Sequence, residues 1–424
     1  MPDLVIRDVA VLDCTGREPS GRHDVTVSEG RITSILAAGG AQVAQGTPTI
    51  DGQGTTVMPG LTDAHVHFAL LGDHGDHGNE PWISHVLRVA RYIEGALDEG
   101  FTTVRDAGGL EPVWAKVVAD GTIRGPRILP SGSVLSQTGG HGDQRLSHEA
   151  VHAQAVIPGL VAGAEIVDGA DEVRRATREQ LRRGATQVKL LASGGIASPT
   201  DPFDSVQFSL AEIAAAVEVA RGWDTYVLAH CHTSPAIDVA LEAGVRSIEH
   251  ASLLTEETAA RMAERGAFMV PTLQTLEMLA AHPERWKLAP EKVARLGEVA
   301  DACRESVRLA DAAGVRIASG SDVVGPWQGR RGEEVRIKAG LIGAHKAIIS
   351  ATRTNAELFR LDAEIGTVEE GKVADLILVD GEPLDRVELL ADPECIPIVI
   401  KAGAVVMDRA GRAAGRSTAT VVGQ

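Results

Sequence analysis

Two histidines, His65 and His67, close the apolar stretch Pro59-Gly-Leu-Thr-Asp-Ala-His-Val-His. In a strand, residues i and i+2 point to one face, about 6.5 Å apart along the backbone, so both imidazoles can converge on one divalent ion. Taken alone, such a pair is as readily the polar side of an alternating surface strand. Four more residues of ligand type follow later apolar runs: Lys189 in TQVKLLASGG, His230 in TYVLAHCHT, His250 in GVRSIEH and Asp322 in VRIASGSD. Each closes or lies in a run that reads as a strand, and the intervals leave room for a helix between them.

The elements that must position these residues fall into two styles. Residues 1–57 read as short strands separated by turns (LVIRDVAVLD, DVTVSEG, RITSILA, TTVMPG), and residues 365–424 repeat the pattern with GKVADLILVDG, CIPIVIKAG and AVVMDRAG. Each end is too small to bury much by itself, so the two are expected to pair as one small β-sandwich. From 58 to 364, eight apolar runs alternate with helical segments such as HVLRVARYIEGALDEG, DEVRRATREQLRRG and SLAEIAAAVEVARG, several of them ending in glycine. That alternation predicts a (β/α)8 barrel, an α/β fold. A doubly wound open sheet would need a glycine-rich phosphate fingerprint after its first strand, and none is present. Barrel chemistry gathers at the C-terminal ends of the strands. His65, His67, Arg105, Asp106, Lys189, His230, His250 and Asp322 would therefore all face one mouth.

Composition narrows the partners. Of 424 residues, 44% are apolar and 23% charged, and 41 basic against 58 acidic side chains give a net charge of -17. With no basic cluster to meet phosphates, nucleic acid is not an expected partner. No run reaches the roughly 18 apolar residues of a membrane span and the N-terminal residues lack a leader pattern, so the expectation is a cytoplasmic protein off the membrane. Cys14, Cys231, Cys303 and Cys395 are scattered without C-x-x-C spacing, which suggests free thiols.

The motif PGLTDAHVHF, the lysine of the fourth strand, the single histidines closing the fifth and sixth, and ASGSD at the eighth together resemble the amidohydrolase superfamily. SVLSQTGGHGD at 133–143 and KLLASGGIASPTD at 189–201 are similar to its prolidase-like branch, which includes Xaa-Pro dipeptidases and hydrolases of ochratoxin-type amides and phenylureas. The resemblance implies two divalent ions, with zinc as the expected metal. His65, His67 and Asp322 would hold the more buried ion, and His230 and His250 the more exposed one. Lys189, carboxylated by carbon dioxide, would bridge them. An ammonium offers a metal no lone pair, whereas a carbamate is an anionic two-oxygen ligand. Lys189 read as a structural lysine paired with Asp106, His230 and His250 as hydrogen-bonded core imidazoles, and Asp322 as a helix cap are the competing readings.

The mechanism so implied is attack of a metal-bridging hydroxide on an amide carbonyl, with Asp322 taking the proton and passing it to the leaving nitrogen. His141, between glycines in Thr138-Gly-Gly-His-Gly, is implied as a contact to the substrate carbonyl or carboxylate. His232 shares the strand face of His230 and stands where related dipeptidases often carry a tyrosine. The expected substrate is a dipeptide or N-acyl amino acid with a free C-terminal carboxylate, and the alternative is a urea, carbamate or cyclic amide such as a phenylurea. A deaminase of the same superfamily is disfavoured by Lys189, and a non-catalytic scaffold by the intact ligand set. Related enzymes assemble, so a homo-oligomer is expected. His74 and His77, in a Gly/Asp-rich loop, read as part of a lid or as solvated surface. Trp327, Arg330 and Arg331 follow the eighth strand at a spacing that does not place them.

Overall fold

The computed structural model describes residues 3–16, 21–70, 81–149, 162–196, 198, 201–286 and 290–414; His74 and His77 lie outside them. Strands from the two ends of the chain build one mixed sheet. Its path runs Ala404–Asp408, Ile398–Lys401, Leu376–Asp380, Thr55–Pro59, Leu4–Val11, Arg22–Ser28, Arg31–Ala37, with Thr49–Asp51 and Ala413–Ala414 attached beside it. The join between the ends is Leu376–Asp380, antiparallel to Thr55–Pro59 with Leu376 opposite Pro59 and Asp380 opposite Thr55. Ile6, Val25, Ile32, Val57, Leu376 and Ile400 form the core of this layer, as alternating β-branched and apolar residues should on a half-buried pleat.

From Pro59 the chain passes directly into the barrel, and Gly60 makes the passage possible: a Cβ there would lie 2.3 Å from Thr102 Oγ1. The barrel strands are Leu61–Val66, Phe101–Asp106, Arg127–Pro130, Val188–Leu191, Val227–Thr233, Ser247–Leu253, Phe268–Val270 and Arg316–Ile317. They pair in parallel in two runs, one of three strands and one of five. Backbone bonds close the gaps between the runs: Thr186 N to Pro130 O at 2.8 Å on one side, and Ala64 N to Ser319 O at 2.8 Å with Asp322 N to His65 O at 2.7 Å on the other. The last of these fixes Asp322 against the first strand.

The helices follow local sequence signals. Leu210–Gly222 opens with a reciprocal cap between Ser209 and Glu212. Ser234–Ala243 and Glu256–Arg265 end on the left-handed glycines Gly244 and Gly266. Two features were not legible in the pattern. Short strands Val134–Ser136 and Ala164–Ile166 extend the sheet beside Val188–Leu191, and a separate helix, Leu273–Ala281, precedes the long helix Pro290–Ala312. Among the described residues no helix is long and apolar enough to cross a membrane.

Candidate metal centre

The barrel interior beneath the mouth is polar. Arg105 and Glu249 are fully buried and Lys189 nearly so, an arrangement tolerable only if the charges meet. Arg105 donates to both oxygens of Glu249, at 2.8 and 2.9 Å, and to Ala64 O at 2.6 Å. Asp106 is engaged elsewhere. It accepts the backbone N–H groups of Phe68, Gly108 and Leu110 at 3.1, 3.0 and 3.3 Å and so shapes the turn that carries Gly108.

These partners decide which histidine nitrogens face the mouth. Glu249 Oε2 lies 2.7 Å from His65 Nδ1, and Gly108 O lies 2.7 Å from His67 Nδ1. A carboxylate and a carbonyl only accept, so both Nδ1 atoms carry the proton and both Nε2 atoms keep a lone pair. Those two Nε2 atoms are 3.2 Å apart, and Asp322 Oδ1 lies 3.6 Å from the first and 3.3 Å from the second. Three lone-pair donors so disposed repel one another unless a cation lies between them. Ligand atoms around a tetrahedral ion with bonds of about 2.1 Å stand about 3.4 Å apart, so the donors fit one.

The other histidines assemble on the adjoining strands. The His250 ring lies 4.4 Å from His230, 4.8 Å from His232 and 5.2 Å from His65, centroid to centroid. His230 Nε2 is 3.2 Å from Gly194 O, which leaves its Nδ1 unprotonated; His232 Nδ1 meets Ser252 Oγ at 2.9 Å and His250 Nδ1 meets Thr272 Oγ1 at 2.7 Å. Burial holds all five imidazoles below their ordinary range, His67 at about 4 and His232 at about 3, and the charge of Lys189 pushes the same way. All five are neutral at pH 7 and able to ligate. Left-handed backbone at His250, Thr272 and Asp322 (φ 72°, 50° and 53°) aims these side chains. Such conformations cost about 1–3 kcal/mol each and persist where the surroundings enforce them, commonly at functional sites.

Among the described residues two groups could hold a metal ion: His230, His232 and His250, and His65, His250 and Asp322, with His250 common to both. This corrects the expectation of a carbamate on Lys189, made from carbon dioxide and bridging two zinc ions. Both groups are built from histidine and aspartate, and Lys189 belongs to neither. Lys189 is instead a nearly fully buried side chain beside them. Burial lowers its pKa, and Glu249 and Asp322 oppose that shift. Burial likewise raises Asp322, which the lysine counteracts.

His141 is brought to the same place. Its ring stacks on His230 at 4.5 Å and 19°, and its backbone N–H donates to Gln207 Oε1 at 2.8 Å. Gly195 permits this approach, since a Cβ there would sit 2.2 Å from the His141 ring. Arg331 is not at the mouth chemistry: it is buried in an ion pair with Glu99. Trp327 packs near His282, with ring centroids 5.9 Å apart. Glu249, Ser252 and Thr272, which orient the imidazoles, went unrecognised in the sequence.

The amidohydrolase family model matches residues 56–406. The chain belongs to the amidohydrolase family. It is 35% identical over 360 residues to an ochratoxinase of Aspergillus niger, a match covering 82% of this chain and 75% of that one. The crystal structure of that ochratoxinase superposes with a TM-score of 0.83, covering 96% of this chain and 95% of the other at 30% identity. A prolidase complexed with N-methylphosphonate-L-proline superposes with a TM-score of 0.91 at 39% identity, covering 96% and 99%. A Xaa-Pro dipeptidase with methionine bound in its active site gives 0.85 at 29%, covering 95% and 99%. This amidohydrolase therefore has the binuclear-metal, prolidase-like fold and is a metal-dependent hydrolase acting on carbon–nitrogen bonds.

Proposed function

We propose that this amidohydrolase cleaves the amide bond of a dipeptide or N-acyl amino acid with a free C-terminal carboxylate, ochratoxin-type amides included. The observation that carries the proposal is the pair of His/Asp donor groups meeting at His250, in a fold shared with a prolidase that binds a proline phosphonate. The similarity to an ochratoxinase and a Xaa-Pro dipeptidase supports the same substrate class.

In this reading His65, His67 and Asp322 hold one ion and His230 and His250 the other. Divalent ions there supply Lewis acidity and lower the pKa of water toward neutrality. The chain's own residues do the rest. Asp322 accepts the proton of the attacking water on its carboxylate and delivers it to the leaving amide nitrogen. Glu249 and Gly108 O hold the rings of His65 and His67 in register. His141, on the outer face of His230, contacts the substrate carbonyl or carboxylate. His232 lies two residues nearer the strand's C-terminal end than His230, which favours a substrate contact over a shared ligand role.

The test is a panel of Xaa-Pro dipeptides, N-acyl amino acids, ochratoxin-type amides and phenylureas on metal-loaded protein. Acids are expected to be hydrolysed, and their C-terminal amides to lose about 10–100-fold in kcat/KM, the worth of a hydrogen-bonded charge. Phenylurea turnover without turnover of the acids would sink the proposal. His232→Phe is expected to keep its metal and raise KM; loss of an ion would make His232 a ligand.

A further inference from the structure

A cluster of buried polar groups stands behind His141, outside both donor groups. The Asp201 side chain is 1% exposed, and its Oδ2 is 3.7 Å from His141 Nδ1, a buried nitrogen with no hydrogen-bond partner among the described residues. The carboxylate is held from every other side. Oδ2 accepts Gly195 N at 3.2 Å and Gln207 Nε2 at 3.1 Å, and Oδ1 accepts the Ser198 hydroxyl and faces Lys292 Nζ at 3.7 Å. Lys292, on the long helix Pro290–Ala312, donates to Gly195 O at 2.9 Å, Ser198 O at 2.6 Å and Ser198 Oγ at 3.0 Å. With three donors so engaged, it clips the loop to the helix. Gln207 serves both ends, since its Oε1 accepts the His141 backbone N–H.

We propose that Asp201, locked in place by Lys292, is the positioning residue for His141, fixing the ring so that Nδ1 faces the carboxylate and Nε2 faces the substrate. The inference rests on His141 as a substrate contact. Burial alone would raise the Asp201 pKa, but His141, Ser198 and Lys292 outweigh it and hold the group down at about 2. Asp201 is then a pure acceptor, so it selects one orientation of an otherwise symmetric-looking ring. An Asn in its place could donate or accept and would not select.

The experiment is a cycle of Asp201→Asn, His141→Asn and the double variant, with kcat, KM and metal content measured on metal-loaded protein and a Xaa-Pro dipeptide. Misplacing a contact by about 1 Å can cost about 10²-fold. Asp201→Asn is expected to lose about that factor in kcat with metal content unchanged, and to cost nothing further once His141 is Asn. Lys292→Met, at the outer edge of the cluster, should show a smaller loss that also vanishes in the His141→Asn background. Unchanged kcat in Asp201→Asn, or losses that multiply in the double variant, would overturn the proposal. If Asp201→Asn does not fold, the Lys292→Met pair decides by the same criterion. A silent His141→Asn would overturn this inference together with the role given to His141 above, whereas a damaging His141→Asn with a silent Asp201→Asn overturns the inference alone.

Discussion

His250→Ala is expected to lose the ion assigned to His230 and His250 and to lower amide hydrolysis by about 10³-fold or more, the several kcal/mol that Lewis-acid stabilisation supplies. No other residue belongs to both donor groups. Its ring is also the hub of the cluster, within 5.2 Å of three other imidazoles. Thr272 holds it by Nδ1, so alanine removes a pre-aimed donor. Metal content by elemental analysis, read beside activity, checks the result. Retention of the wild-type stoichiometry would show that His250 is not a ligand.

Glu249→Gln is expected to damage both stability and the site. The carboxylate is shared by Arg105 and His65, all three buried. Removing its charge leaves the guanidinium uncompensated in the barrel interior, a loss of about 3–5 kcal/mol. Metal affinity should fall by about 10–100-fold, as for other groups that orient a ligating histidine. Denaturant unfolding measures the first effect and metal competition the second. Adding Arg105→Met should recover part of the stability but none of the affinity, because it removes the stranded charge without restoring the hold on His65. Equal recovery of both would contradict the division of labour assigned to Glu249.

The sequence disclosed the site where chemistry follows strand periodicity. His65, in the first strand, and His67, one residue past its end, converge as alternation directs, and His230, inside the fifth strand, arrives at the same mouth for the same reason. His250 is a different case. Glu249 faces inward to Arg105 and His65, so regular alternation would turn its neighbour away. Left-handed backbone at His250 and Ala251, φ 72° and 47°, breaks the alternation and brings the imidazole in. Residue spacing carries no sign of that. Glu249 was overlooked for the related reason that a carboxylate next to a histidine reads as the solvent side of a strand.

Lys189 shows the limit of arguing from residue type. Its place in the fourth strand is legible, and a lysine ligating a metal there would have to be modified. The structure shows histidine and aspartate donors grouped without it, and a buried lysine whose pKa burial lowers while Glu249 and Asp322 oppose the shift. Asp106, the partner first considered for it, is spent on three backbone N–H groups. The Asp201–Lys292 cluster was equally hidden. Its members are 91 positions apart and meet only because the loop after the fourth strand folds against the helix Pro290–Ala312.

The most direct measurement strips the purified protein with a chelator, returns a divalent metal in steps, and follows bound metal and Xaa-Pro dipeptide hydrolysis in the same samples. Binding to about two equivalents, with hydrolysis absent at the start and restored as the sites fill, is the result the His/Asp centre predicts. Full hydrolysis by the metal-free protein would contradict it.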